Sequence, residues 1–251
     1  MILSISTIAE EECVVTPDAP SAKNRRPCVV CWSENTAPKD VYPNDINAAV
    51  AAGLGAALPG WDVVVAGLDD EAQGLPEDVL QRCDVLVWWG HQRHGQVTDA
   101  LCDAVVARVR DRGMGFVSLH SSHFAKPNIA LMSHMPTDPA VLTQVQPINR
   151  VAAWGNYLGD SVELNVIVTE PAHPIAAGVP ASFTISHHER YNDPYAVPPA
   201  EAIVFVGDAT LTDGKVDRSQ LGFCWTIGKG RMFYFKAGHE TDPVFYDANV
   251  R

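Results

Sequence analysis

The sequence predicts an α/β fold in which a mostly parallel sheet is flanked by helices and extended by an elaborated β-rich second half. Three features of the 251 residues carry that prediction. Between Pro27 and Leu119, short apolar runs alternate with stretches of helical periodicity, the rhythm of right-handed βαβ crossovers. After residue 123 that rhythm gives way to strand candidates joined by Pro-, Gly- and Asn-containing loops. Four apolar runs also stop abruptly in polar clusters: Trp32-Ser33-Glu34-Asn35, Trp88-Trp89-Gly90-His91-Gln92-Arg93-His94, Leu119-His120-Ser121-Ser122-His123 and Ala237-Gly238-His239-Glu240.

Residues 1 to 26 lack periodicity and end in Ser21-Ala22-Lys23-Asn24-Arg25-Arg26, so they read as an extension or edge element. Residues 27 to 251 read as a single domain, a length one core can serve. Within it, Cys28 to Trp32 reads as a strand, Asp45 to Leu58 as an Ala-rich helix, and Asp62 to Ala66 as a strand. A short helix runs from Pro76 to Arg82, with the proline in its first turn. Val85 to Trp89 is a strand, and Thr98 to Arg112 is a helix capped by Thr98 and closed by Gly113. Gly115 to Leu119 is the next strand. Beyond it, Glu163 to Thr169 is a strand candidate, and Ala202 to Lys236 reads as short strands with turns at Thr212-Asp213-Gly214 and Gly228-Lys229-Gly230. The run His187-His188-Glu189-Arg190-Tyr191-Asn192-Asp193 reads as a polar loop.

Composition narrows the function. Hydrophobic residues at 47% and charged residues at 19% belong to a globular chain and exclude disorder. The formal net charge of −12 repels a phosphate backbone, so no nucleic-acid partner is expected. No apolar run reaches the roughly 18 residues of a membrane span, and Glu10, Glu11 and Glu12 occupy the region where a signal peptide is apolar. No membrane association and a cytoplasmic location are therefore expected. Cys28, Cys31, Cys83, Cys102 and Cys224 fall in or beside core elements, as reduced cysteines do.

Cys28-Val29-Val30-Cys31 lies inside a strand, where alternation sends the two thiols to opposite faces, so it is not a redox pair. Gly53-Leu54-Gly55 falls late in a helix and offers no helix N-terminus to a pyrophosphate, so no nucleotide cofactor is expected. The strand-end clusters carry the chemistry. In open α/β sheets, residues just past the carboxyl ends of strands converge on one crevice. His91, His94 and His123 are candidate ligands for a divalent metal, zinc or similar. His120 and His239 are candidate acid–base groups, with Glu189 and Glu240 assisting. A structural role stands beside each of these readings, and for His134 and His173 it is the preferred one. Ser121 and Ser122 lack the G-x-S-x-G pattern of a nucleophile elbow.

At these residues the chain resembles the ThuA-like family, associated with trehalose utilisation. The matching blocks are Val41-Tyr42-Pro43, Asp84-Val85-Leu86-Val87-Trp88-Trp89-Gly90-His91, Gly113-Met114-Gly115, Leu119-His120-Ser121-Ser122-His123-Phe124, His173-Pro174-Ile175 and Tyr234-Phe235-Lys236-Ala237-Gly238-His239-Glu240. The resemblance is close over about 27 to 124 and patchy over 160 to 245. It implies a flavodoxin-like, class I glutamine-amidotransferase-like fold, and a further helix packing on the sheet beyond Arg251. Glu189 and Tyr191 match an acidic pair and tyrosine of the family, whereas His188 departs from it.

The resemblance implies a carbohydrate substrate, a disaccharide or its 3-keto derivative, and an enzyme that is a hydrolase, lyase or isomerase. Trp32, Glu34, Trp89, Ser121 and Tyr191 are the expected substrate-binding residues. Amidotransfer from glutamine is not expected, because it needs a cysteine where this chain has His120-Ser121. A non-catalytic sugar-binding or regulatory protein with the same crevice is the alternative. Homo-oligomerisation is the common default for such enzymes.

Overall fold

The apolar runs of the first half form strands β1 (Cys28–Ser33), β2 (Asp62–Gly67), β3 (Val85–Trp89) and β4 (Gly115–Leu119), each within one residue of the range expected from sequence. They are described by a computed structural model that covers residues 25–147 and 150–250. Helices α1 (Asp45–Ala57), α2 (Glu77–Arg82) and α3 (Asp99–Arg112) separate them. Thr98 caps α3 by accepting a hydrogen bond from the Leu101 amide at 3.3 Å, and Gly113 ends it in the left-handed region at φ 84°. Pro76 precedes the first helical residue of α2 rather than lying inside the first turn.

Of the extension read at residues 1 to 26, residues 1–24 lie outside the described residues. Arg25 and Arg26 are tied to the domain. Arg25 pairs with Asp84 at 2.6 Å, and Arg26 donates to the carbonyls of Pro59 and Trp61 at 2.8 and 2.9 Å.

The second half departs further from expectation. Short helices α4 (Lys126–Met132) and α5 (Pro139–Leu142) stand where loops were read, and each begins with a proline in its first turn, where a missing amide hydrogen costs nothing. Strand β5 (Tyr157–Val168) starts six residues earlier than Glu163. The polar run from His187 belongs to strand β6 (Ser182–Tyr191), not to a loop. Its buried side chains are polar on both faces, Glu189 reaching His120 and Arg190 reaching Asp217 of β8, which hides the alternation that marks a strand. The tail forms β7 (Ala202–Thr210), β8 (Val216–Ile227) and β9 (Gly230–Phe235), of which β8 is 12 residues long rather than short.

Among the described residues the strands form one nine-stranded sheet in the order β2-β1-β3-β4-β9-β8-β7-β5-β6. Strands β2, β1, β3, β4 and β9 are parallel, and the pairs from β9 onward are antiparallel. The order reverses between β1 and β3, so the carboxyl ends of β1, β3, β4 and β9 open on one rim. Alternation splits the core in two. Cys28, Val30 and Trp32 pack with Leu101, Val105 and Leu131 of α3 and α4, while Val29 and Cys31 pack with Ile46 and Ala49 of α1. The two thiols of the Cys28 pair thus face opposite layers, and Gly53-Leu54-Gly55 lies well inside α1. An apolar cleft of ≈ 330 Å³ on the α1 face is lined by residues including Val29, Val87, Phe205, Phe235 and Val250, and no side chain in its lining titrates. No helix among the described residues is long and apolar enough to cross a membrane.

Candidate active site

Three backbone amides just past β3, those of His91, Gln92 and Arg93, donate to the carboxylate of Glu34 just past β1. The His91 and Arg93 bonds are 2.7 and 2.9 Å long, and the Arg93 guanidinium returns a bond to the Glu34 carbonyl at 2.9 Å. A buried carboxylate satisfied by three amides is a structural clasp. Glu34 therefore sets where His91 stands and offers no free oxygen to a sugar, which corrects its reading as a substrate ligand.

From His91 an alternating chain of imidazoles and carboxylates crosses the rim. His91 Nε2 lies 3.2 Å from Glu240 Oε1. Glu240 Oε2 lies 3.8 Å from His239 Nε2, which is 3.7 Å from Glu189 Oε2. That same Glu189 oxygen lies 2.9 Å from His120 Nε2. The rings of His91 and His239 are 5.9 Å apart and those of His120 and His239 are 5.8 Å apart. Residues from four separate segments thus share one neighbourhood: the ends of β3, β4 and β9, and the last turn of edge strand β6.

His120 is held most tightly. Strand β4 turns at this residue, whose φ of 46° places a non-glycine residue in the left-handed region, an outlier that a surrounding network must enforce. The Tyr234 hydroxyl donates to the His120 carbonyl at 2.9 Å, Ser122 Oγ donates to the Leu119 carbonyl at 2.7 Å, and Asn128 donates to the His123 carbonyl at 2.8 Å. Gly238 passes so close that a Cβ there would sit 2.7 Å from that of His120, so only glycine fits. His120 Nδ1 lies 2.8 Å from the Lys236 carbonyl, which can only accept. Both ring nitrogens thus face oxygen atoms at hydrogen-bonding distance.

Burial by itself raises the Glu189 pKa, but the hydrogen bond and charge of His120, with help from the Tyr191 hydroxyl and His239, reverse the effect and bring it down to about 2. Burial and the neighbouring Glu189 raise the Tyr191 hydroxyl, so it stays a hydrogen-bond donor. The half-buried Tyr191 ring is 6.1 Å from that of His120.

Other expected residues lie elsewhere. Trp32 is 1% exposed, stacks on Trp88 at 3.8 Å between centroids, and donates from Nε1 to the Gln73 carbonyl at 2.8 Å. Trp89 is equally buried, in the layer that contains α1. Apolar strand residues go to the core before they go to ligands, so neither indole offers a face to a sugar. Ser121 is buried with its hydroxyl unpartnered.

His91, His94 and His123 do not form a common ligand group among the described residues. His123 is buried, its Nδ1 is 2.5 Å from the Ala152 carbonyl, and desolvation lowers its pKa to about 3, so it is a neutral packing residue. His94 packs against Gly90, with its pKa lowered by burial. By strand alternation His188 faces away from Glu189 and is fully buried, so its departure from the family pattern falls behind the site wall.

The residue that sequence reasoning missed is Asp160. It sits where the β5–β6 register shifts between Gly159 and Val162, and a bulge of this kind re-aims a side chain. Its ligand atom and those of Glu189 and His239 lie within 4.8 Å of one another. The preceding Gly159 was its only signal. Thr241, whose hydroxyl bonds His239 Nδ1, gave none.

The sequence model of the ThuA family, described by trehalose utilisation, matches residues 28–251. No curated protein matches the chain. A protein of known structure from Bacteroides uniformis, described as ThuA-like, aligns with a TM-score of 0.57 at 18% identity, covering 93% of this chain and 90% of that one. Another from Parabacteroides merdae, likewise described as ThuA-like, aligns with a TM-score of 0.58 at 15% identity, covering 87% of this chain and 83% of that one. A carbohydrate deacetylase, Agd3, aligns with a TM-score of 0.53 at 12% identity, covering 85% of this chain and 29% of its own. At these identities the likeness establishes the mixed α/β fold and leaves the chemistry to the residues.

Proposed function

The chain belongs to the ThuA family, and from that membership and the imidazole–carboxylate chain on its rim we propose that it is an enzyme acting on a disaccharide or its 3-keto derivative by acid–base chemistry. A carbohydrate-related role follows from the family itself. The reading treats the parallel half, in the order β2-β1-β3-β4 with β9 next, as a flavodoxin-like sheet whose crevice lies outside the strand ends.

The observation that carries it is the His120–Glu189 pair, buried and 2.9 Å apart beside the half-buried Tyr191 ring. On a 3-keto-glycoside, the proton on the carbon between the ketone and the anomeric centre is acidic. Glu240, next to His91 in the chain, takes that proton, the ketone becomes an enolate, and the electron pair then expels the anomeric oxygen. His120, at the end opposite His91, donates a proton to the departing oxygen, which balances the elimination. Glu189 and His239 between them hold the charge that shifts across the site. Tyr191 supplies an aromatic face and a hydroxyl to the sugar.

The test is turnover of 3-keto-disaccharides, with the unoxidised disaccharides beside them, followed by release of the free sugar. His120→Asn and Glu240→Gln are expected to lower kcat by about 10²- to 10⁴-fold with little change in KM. If the purified protein turns over neither class, or both variants keep wild-type kcat, the reading fails.

A further inference from the structure

We propose that Asp160, Glu189 and His239 hold a divalent cation of the Mn²⁺ type, a site that rests on the catalytic reading above for its purpose but not for its geometry. One ligand atom from each residue lies within 4.8 Å of the other two. Metal–ligand bonds of about 2.1 Å bring such atoms together with small side-chain movements. The three ligands come from the β5 bulge, from β6 and from the loop after β9.

A second observation points into the same space. Glu240 is 6% exposed and its Oε2 has no hydrogen-bond partner, yet it lies 3.8 Å from His239 Nε2. A buried carboxylate oxygen with no donor is costly, and a cation beside it removes the cost. Three carboxylates, those of Asp160, Glu189 and Glu240, thus surround His239. His120 faces Glu189 Oε2, His91 faces Glu240 Oε1 and the Tyr157 hydroxyl bonds Asp160, which leaves Glu240 Oε2 as the unanswered oxygen.

His239 is also oriented as a ligand. Its Nδ1 is hydrogen-bonded to the Thr241 hydroxyl while Nε2 faces the carboxylates, the outer partner that fixes a metal-bound imidazole. One imidazole with two or more carboxylates is an oxygen-rich set without thiolate, which suits Mn²⁺ better than soft cations. Asp160 is exposed, so the coordination sphere is open on its side to water or to a ketone oxygen. A ketone held there lies between the acid His120 and the base Glu240, where a bound cation stabilises the enolate oxygen. This set replaces His91, His94 and His123.

The test is titration of the chelator-stripped protein with Mn²⁺, read by loss of the free-ion electron paramagnetic resonance signal. One Mn²⁺ per chain with a Kd below about 100 µM is expected. Asp160→Asn, an exposed change, and Glu240→Gln are each expected to weaken binding about tenfold or more. Nitrogen modulation of the bound Mn²⁺ signal is expected in the wild type and absent in His239→Gln. No binding at about 1 mM Mn²⁺, or unchanged affinity in both carboxylate variants with wild-type circular dichroism, overturns the site. The two readings fail separately: Mn²⁺ bound without turnover of any keto-sugar removes the catalytic role alone, and turnover without Mn²⁺ binding removes the cation alone.

Discussion

Glu189 is the residue at which the proposed acid–base chain and the stability of this protein meet. Its pKa falls from the usual 4.5 to about 2 in the fold, so the ionised form is favoured by folding. The stabilisation is complete above about pH 4.5 and is lost as the pH falls toward 2, because the unfolded chain takes up the proton first. Glu189→Gln is therefore expected to be less stable than the wild type at neutral pH, with the gap closing between pH 4.5 and 2. Urea midpoints measured at steps across that window check this, and a gap that stays constant with pH would show that His120 and Glu189 are not coupled. The cysteines stand at the other extreme. Burial pushes the Cys31 and Cys83 thiols up to about 12, which fits packing and not nucleophilic chemistry.

At the level of single elements, the clasp between the ends of β1 and β3 is the feature to probe. Replacing Glu34 by alanine strands the amides of His91, Gln92 and Arg93 in a half-buried loop. A stability loss of about 3 kcal/mol is expected, together with a rise in KM as His91 loses its anchor. Chemical unfolding and steady-state kinetics on one preparation separate the two effects, and a variant within about 0.5 kcal/mol of wild type would remove the clasp from the account.

The same elements show what could be read from sequence. Parallel strands buried on both faces are continuous apolar runs, so β1 to β4 and the helices between them were legible within one residue, and the histidines at their ends with them. Strand β6 was not legible, because His188, Glu189 and Arg190 are consecutive buried polar residues, and the partners of Arg190 lie in distant strands. Trp32 and Trp89 misled for the opposite reason: they adjoin the rim in sequence, while strand geometry turns them into the core. Asp160 depends on a register shift, which no local pattern encodes.

Across the whole molecule, edge strand β6 is held to the sheet by more than its ladder to β5. Fully buried Arg190 reaches past the neighbouring strands to the Gly207 carbonyl on β7 at 3.3 Å and to the carbonyl and carboxylate of Asp217 on β8. Removing one member of a buried ion pair leaves the other charge unanswered, so Arg190→Ala is expected to cost about 3 to 5 kcal/mol. Thermal or urea unfolding checks it, and a cost under about 1 kcal/mol would mean that β6 is secured by its backbone alone.

The pairing of β4 with β9 sets Phe116 against Met232 and Leu119 against Phe235, partners more than a hundred positions apart. During synthesis the chain therefore emerges with four parallel strands and His120 already made, but with the neighbour that supplies the Lys236 carbonyl and His239 still to come. The exposed flank of β4 must wait, and contacts of such long sequence separation form slowly. The candidate rim is thus completed only once β9 and the loop after it have left the ribosome, and a polypeptide interrupted before them carries the scaffold without His239 and Glu240.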